Sequence, residues 1–111
     1  MKVTLSQEND ISVIAVEGSI DGKTAPLVRQ EIYPTLEMAK SVVLDLSKVD
    51  YLSSAGLRLL LLIYREFAAK KGKLVLLGVS EDIQTVMSHT GFLNFFKLAG
   101  SMPEAVQLLS K

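Results

Sequence analysis

The sequence contains no cysteine, and this absence excludes disulfides, thiolate chemistry and sulfur-ligated metals. It also lacks a long hydrophobic run. The longest strongly apolar stretch, residues 59–64, is far shorter than the roughly 20 residues that a membrane-spanning helix needs. The N-terminus has no apolar region typical of a secretory signal. From these absences we expect a cytoplasmic protein.

The sequence also lacks an excess of charge of either sign, because 12 basic residues balance 12 acidic ones. A neutral chain has no broad attraction to phosphate backbones or anionic lipids, so neither nucleic acid nor a membrane is an expected partner. With 49% hydrophobic and 22% charged residues, the composition is that of a globular protein. Its length predicts a single domain over residues 1–111.

Motifs of catalysis are also absent. His89 is the only histidine, so a two-histidine metal site is excluded, and no cluster of acids lies near it in the sequence. There is no glycine-rich phosphate loop, no dinucleotide-binding fingerprint and no pair of carboxylates suited to acid–base catalysis. We therefore expect a protein that is not an enzyme, with no catalytic residue, no metal site and no cofactor.

The N-terminal part of the sequence predicts a hairpin followed by a helix. Apolar alternation at residues 3–7 and the β-branched segment 11–17 predict two antiparallel strands, with turn residues between them and Gly18 ending the second strand. Apolar residues at steps of three and four then predict a helix from Thr24 to Ala39. Thr24 is the expected cap, and Pro34 predicts a kink or an early end.

The rest of the sequence predicts a parallel strand–helix–strand unit with further helices. Residues 42–46 and 74–77 are short apolar runs typical of buried strands, and residues 54–71 between them predict a helix ended by Gly72. Ser80 and Ser101 are expected to cap two further helices, and the aromatic segment 92–96 between those helices is expected to pack on the core. We predict an α/β fold: a small mixed sheet of four or five strands with four or five helices.

The most informative segment is residues 45–57, where a buried strand is followed by a short loop and two serines that precede a helix. Free backbone N–H groups and the helix dipole favour an anion at such a place. On physical grounds alone, a plain helix cap is the commoner role for Ser53 or Ser54, because serine is frequent at the N-cap. Gly56 could make room for packing against the sheet, or could let another backbone or a phosphate approach closely.

This segment resembles the signature of the STAS family, found in anti-sigma-factor antagonists. The matching residues are Asp45, Ser47, Leu52, Ser53, Ser54, Ala55, Gly56 and Leu57. The phosphorylated serine of that family lies two positions before the glycine, which is Ser54 here. Residues 18–21 match a second family element, in which Asp21 resembles a partner-contacting residue; an Asx turn or cap is the alternative role for Asp21. The resemblance extends over residues 3–109.

The resemblance implies a protein-binding switch. Its unphosphorylated form binds an anti-sigma factor, a serine kinase of the histidine-kinase-like ATPase type, and is released when Ser54 is phosphorylated. A metal-dependent serine phosphatase restores the first state, and ATP belongs to the kinase. The implied partner-binding residues are Asp21, Ser53, Ser54 and Gly56.

Two residues depart from the family pattern: Ser53 replaces the usual acid and Ala55 the usual hydroxyl residue. The missing acid favours an alternative, a STAS scaffold or transporter-regulator subunit that is not phosphorylated. A small-molecule binder or enzyme that uses a cleft at Asp21 and Ser54 is a further alternative.

Overall fold

A computed structural model describes residues 1–110, which form one five-stranded sheet with four α-helices and a short 3-10 helix. The strands are β1 (Lys2–Glu8), β2 (Ile11–Ile20), β3 (Ser41–Leu52), β4 (Lys73–Leu77) and β5 (Lys97–Ala99). The helices are α1 (Ala25–Met38), α2 (Ser54–Ala69), α3 (Glu81–His89) and α4 (Met102–Leu109), and the 3-10 helix spans Phe92–Phe95. The strand order is β1-β2-β3-β4-β5; β1 is antiparallel to β2 and the other neighbours are parallel. The predicted mixed α/β fold is confirmed.

The sheet is covered on both faces, and β3 shows how. Val42 and Leu44 belong to the large core beneath α1, α2 and α3, whereas Val43 between them packs with residues of β4 and α4. Successive side chains of a strand point to opposite faces, so α4 lies on the face opposite to the other three helices. This double burial explains why residues 42–46 form a nearly continuous apolar run.

The predicted strand–helix–strand unit is confirmed, because β3 and β4 are adjacent and parallel, with α2 between them in the chain. Helix α2 ends at Ala69, two residues before the predicted end. Lys71, rather than Gly72, adopts the left-handed conformation that stops the helix, with a φ of 58°. Phe92, Leu93 and Phe96 pack against the core as expected, whereas Phe95 is half exposed.

Two strand ends were predicted wrongly. Strand β2 continues through Gly18, which has a φ of 97°, and β3 continues to Leu52 instead of ending at residue 46. Ala15 pairs with Asp45, but Glu17 pairs with Lys48 and Ser19 with Tyr51, so between these pairs one residue of β2 lies opposite two of β3 in both intervals. Such bulges interrupt the alternation by which a strand is recognised, and Gly18 adopts its positive φ in β2 opposite the second of them.

Helix α1 has the predicted extent to within one residue at each end, but it neither stops early at Pro34 nor has the predicted side-chain cap. The helix continues through Pro34 to Met38, and Lys70, the residue after α2, donates hydrogen bonds to the carbonyls of Leu36 and Ala39 near the C-terminus of α1. A basic side chain is favourable beside the free carbonyls of a helix end. The Thr24 side chain does not cap the helix, in contrast to Ser80 and Ser101, which cap α3 and α4 as predicted.

The continuation of α1 through a proline gives a first prediction. Pro34 has no N–H for the carbonyl one turn earlier and crowds it, so Pro34→Ala is expected to raise the free energy of unfolding by about 1–2 kcal/mol. Pro26 in the first turn is the matched control, because a proline there removes no helical hydrogen bond. Pro26→Ala should give no gain. Equilibrium denaturation in urea measures both, and equal changes for the two variants would contradict the prediction.

Candidate functional site

The candidate site lies where β2 and β3 end side by side. Ile20 pairs with Leu52 at the last position of the parallel ladder, and the backbone N–H of Ser53 donates to the Ile20 carbonyl at 3.0 Å. The segment that leads from β2 into α1 therefore lies against the start of α2. The structure thus brings Asp21 to the same edge of the sheet as Ser53, Ser54 and Gly56.

Ser53 is the N-cap of α2. Its backbone is extended, with φ of −82° and ψ of 179°, and its hydroxyl oxygen accepts a long hydrogen bond from the Gly56 N–H at 3.4 Å. This satisfies one of the N–H groups that a helix leaves free at its first turn. The predicted cap role of Ser53 is confirmed, and its contact with a partner stays a prediction.

Ser54 is the first residue of α2, and its side chain is exposed. Its hydroxyl forms no hydrogen bond with any residue in the described part of the chain, and the first turn of α2 contains no acidic residue. A hydroxyl in this position is accessible to an external enzyme. The positive end of the helix dipole also favours an anion there.

Gly56 is buried in the first turn of α2, and the contacts around it leave no room for a Cβ unless a neighbouring atom moves. A Cβ at this position would lie 2.6 Å from the Leu52 Cδ1 and 2.7 Å from the Ile20 carbonyl oxygen. The packing role proposed for Gly56 is therefore confirmed, and the backbone that approaches it belongs to β2. A direct partner contact at Gly56 stays a prediction.

Asp21 forms an Asx turn between β2 and α1, as one of its two predicted roles required. Its Oδ1 accepts hydrogen bonds from the backbone N–H groups of Thr24 at 3.0 Å and Lys23 at 2.9 Å. These two bonds hold the pKa of the Asp21 carboxyl below its ordinary value, since they stabilise the charged form. The hydroxyl of Thr24 donates to the Ser19 carbonyl at 2.8 Å, and its oxygen accepts from the Asp21 N–H at 2.9 Å instead of from an N–H in the first turn of α1. Thr24 also has helical backbone angles, with φ of −90° and ψ of −27°, so it does not cap α1.

A groove between α1 and α2 opens beside Ser54 and was not predicted. Its volume is about 730 Å³. Ala55, next to Ser54, lines it together with largely apolar side chains of both helices and two arginines, Arg29 and Arg58. The sequence signal that could have indicated Arg58 is its position four residues after Ser54, which places both on one face of a helix.

Two further observations limit the chemistry of the described residues. No three of their histidine, aspartate and glutamate side chains come together in a way that could hold a metal ion. None of the four α-helices within residues 1–110 combines the length and the apolar composition that crossing a bilayer requires.

Comparison with known proteins identifies the family. Residues 2–105 match the family model of the STAS domain, and the chain belongs to this family. BtrV of Bordetella bronchiseptica, a proposed anti-sigma factor antagonist, is 31% identical over 106 residues that cover 95% of this chain and 91% of BtrV.

Solved structures have the same fold. The crystal structure of an anti-sigma factor antagonist from Mycobacterium paratuberculosis matches with a TM-score of 0.89 at 25% identity, covering 99% of this chain and 94% of that one. The anti-sigma factor antagonist SpoIIAA of Bacillus has been solved in unphosphorylated and phosphorylated forms. Both are 21% identical to this chain and cover 96% of it. The unphosphorylated form matches with a TM-score of 0.78 over 94% of its own chain, and the phosphorylated form with a TM-score of 0.72 over 97%.

The close contacts of Gly56 give a second prediction. Gly56→Ala is expected to lower the free energy of unfolding by about 1–3 kcal/mol, because its Cβ would press on the Ile20 carbonyl and the Leu52 side chain. Gly22→Ala is the control, since a Cβ at Gly22 meets no atom within 4 Å. That variant should stay within about 0.5 kcal/mol of the parent. Urea denaturation measures both, and a harmless Gly56→Ala would contradict the packing described here.

The lowered pKa of Asp21 gives a third prediction. A carboxyl whose pKa is lower in the folded than in the unfolded chain stabilises the fold above its unfolded pKa, and this contribution disappears as pH falls through the folded value. Asp21→Asn should therefore lower the melting temperature at pH 7, with a smaller difference from the parent below about pH 4. Melting curves of both proteins from pH 2 to 7 provide the measurement. Asp10→Asn, in the β1–β2 turn, is the control for the loss of one carboxylate elsewhere on the surface. If the difference in melting temperature between Asp21→Asn and the parent does not change with pH, the assignment is contradicted.

Proposed function

We propose that this protein is an anti-sigma-factor antagonist whose binding to its partner is switched by phosphorylation of Ser54. The unphosphorylated form binds an anti-sigma factor that is a serine kinase of the histidine-kinase-like ATPase type. Phosphorylation of Ser54 by that kinase dissociates the complex, and a metal-dependent serine phosphatase restores the binding form. The names of BtrV and of the Mycobacterium protein support the antagonist role.

The observation that carries the proposal is the state of Ser54. Its hydroxyl is exposed and forms no hydrogen bond within residues 1–110, while the residues on both sides of it are fixed. Ser53 caps the helix and Gly56 packs against Ile20, so the backbone at Ser54 is held in one position. Asp21 and Ser53 flank this hydroxyl on the surface that we assign to the partner.

The charge of a phosphate on Ser54 should affect binding of the partner more than the stability of the domain. The group adds about −1.5 to −2 charges. At a helix N-terminus an anion is stabilised by up to about 1–2 kcal/mol, so the domain itself tolerates the modification. Across a desolvated interface an unpaired charge costs about 2–5 kcal/mol. Affinity for the partner should therefore fall between roughly tenfold and a few thousandfold, while the fold is retained.

The fourth prediction tests this switch with the histidine-kinase-like ATPase encoded nearest to the gene of this protein. With ATP, that kinase should phosphorylate Ser54, and the complex should dissociate as phosphate is incorporated. Ser54→Ala should bind with the affinity of the parent, accept no phosphate and stay bound. Mass spectrometry locates the phosphate, and calorimetry or fluorescence anisotropy measures the affinity.

Ser53→Asn is the matched control, because asparagine caps a helix as well as serine does but offers no hydroxyl. This variant should still be phosphorylated and released. If Ser54→Ala accepts phosphate at the full rate and Ser53→Asn does not, the assignment of Ser54 is wrong. If the complex survives phosphorylation of Ser54, the chain is a scaffold of the same fold rather than a switch.

A further inference from the structure

Arg58 is an exposed cation one helical turn after Ser54. The positions three and four residues away from it on α2 are Ser54, Ala55, Leu61 and Leu62, none of which is acidic. Within residues 1–110, Arg58 forms no ion pair, whereas Arg29 on the opposite wall of the groove lies 3.9 Å from Glu66. The unmodified protein therefore leaves the guanidinium of Arg58 without an anionic partner.

The geometry of a helix directs Arg58 towards Ser54. Side chains four residues apart lie on the same face, with Cβ atoms about 5–6 Å apart. A long helical side chain leans towards the N-terminus and covers the turn before its own Cα. For Arg58, that turn begins at Ser54, and Arg58 lines the groove together with Ala55 of the same turn.

We propose that Arg58 is the residue that holds the phosphate on Ser54, through an ion pair within the first turns of α2. This inference rests on the proposed function, because it concerns the phosphorylated form. A guanidinium matches a phosphate with two parallel N–H···O hydrogen bonds, which a lysine ammonium cannot form. An anion four residues before a cation is also the favourable order along a helix.

Pairing with the phosphate would change two features of the surface together. An anion, the phosphate, is added to the surface at Ser54, and the unpaired positive charge of Arg58 on the wall of the groove is neutralised. A partner that fits the unmodified surface meets both changes, although only one residue has been modified. Arg58 thereby couples Ser54 to the α1–α2 groove.

The fifth prediction tests the pair without a kinase. Phosphoserine is incorporated at position 54 during translation, and its second ionisation is followed by ³¹P NMR in the parent and in variants. A neighbouring cation favours the dianion and lowers its pKa, so Arg58→Gln should raise that pKa by about 0.2–0.4 of a pH unit. Arg65→Gln removes the same charge from an exposed position farther along α2 and should leave the pKa unchanged. Arg58→Lys should keep most of the effect.

The outcomes separate this inference from the proposed function. An unchanged pKa in Arg58→Gln would overturn the pair, as would a larger rise in Arg29→Gln, which would mean that the phosphate is held across the groove. Neither result depends on whether any kinase modifies Ser54. Conversely, a failure of the kinase to phosphorylate Ser54 would overturn the proposed function and leave the pair itself measurable.

Discussion

The carbonyl of Ile20 is the point on which the geometry of the site depends. It accepts the hydrogen bond of the Ser53 N–H at 3.0 Å, and the Cα of Gly56 packs so closely that an added Cβ would lie 2.7 Å from it. One backbone atom at the end of β2 thus fixes both the residue before Ser54 and the turn after it. The parallel pairing of Ile20 with Leu52 supplies this carbonyl, so the sheet register sets the position of the serine.

The segment that follows Ile20 and leads into α1 is fixed by side-chain hydrogen bonds. The Asp21 carboxylate accepts hydrogen bonds from two backbone N–H groups, and the Thr24 hydroxyl donates to the Ser19 carbonyl. Ser19 also donates to Asp50 of β3 at 3.0 Å. Two adjacent segments with fixed backbones form a surface that need not be ordered when a partner binds, which reduces the entropic cost of association.

The buried parts of this fold were predictable and its irregular parts were not. Residues 42–46 and 74–77 are apolar because both faces of the sheet are covered, and the caps at Ser80 and Ser101 use local hydrogen bonds that a short sequence can indicate. The extra residues of β3 break the alternation, so its second half resembled a loop. At the site, the positions of Ser53 and Ser54 followed from the motif. The groove did not, because it depends on how α1 and α2 pack.

The departure at Ser53 has different consequences for the fold and for the proposed switch. Serine and aspartate are comparable helix caps, so replacing the usual acid leaves the start of α2 intact. The substitution removes a negative charge directly beside the proposed phosphate, and therefore also removes a like-charge repulsion that would oppose the second ionisation. It leaves Arg58 with no acid in the first turn to compete with the phosphate. Under the proposed function, a kinase would lose one charge by which to recognise the site, whereas the environment that would hold the modified residue becomes more favourable.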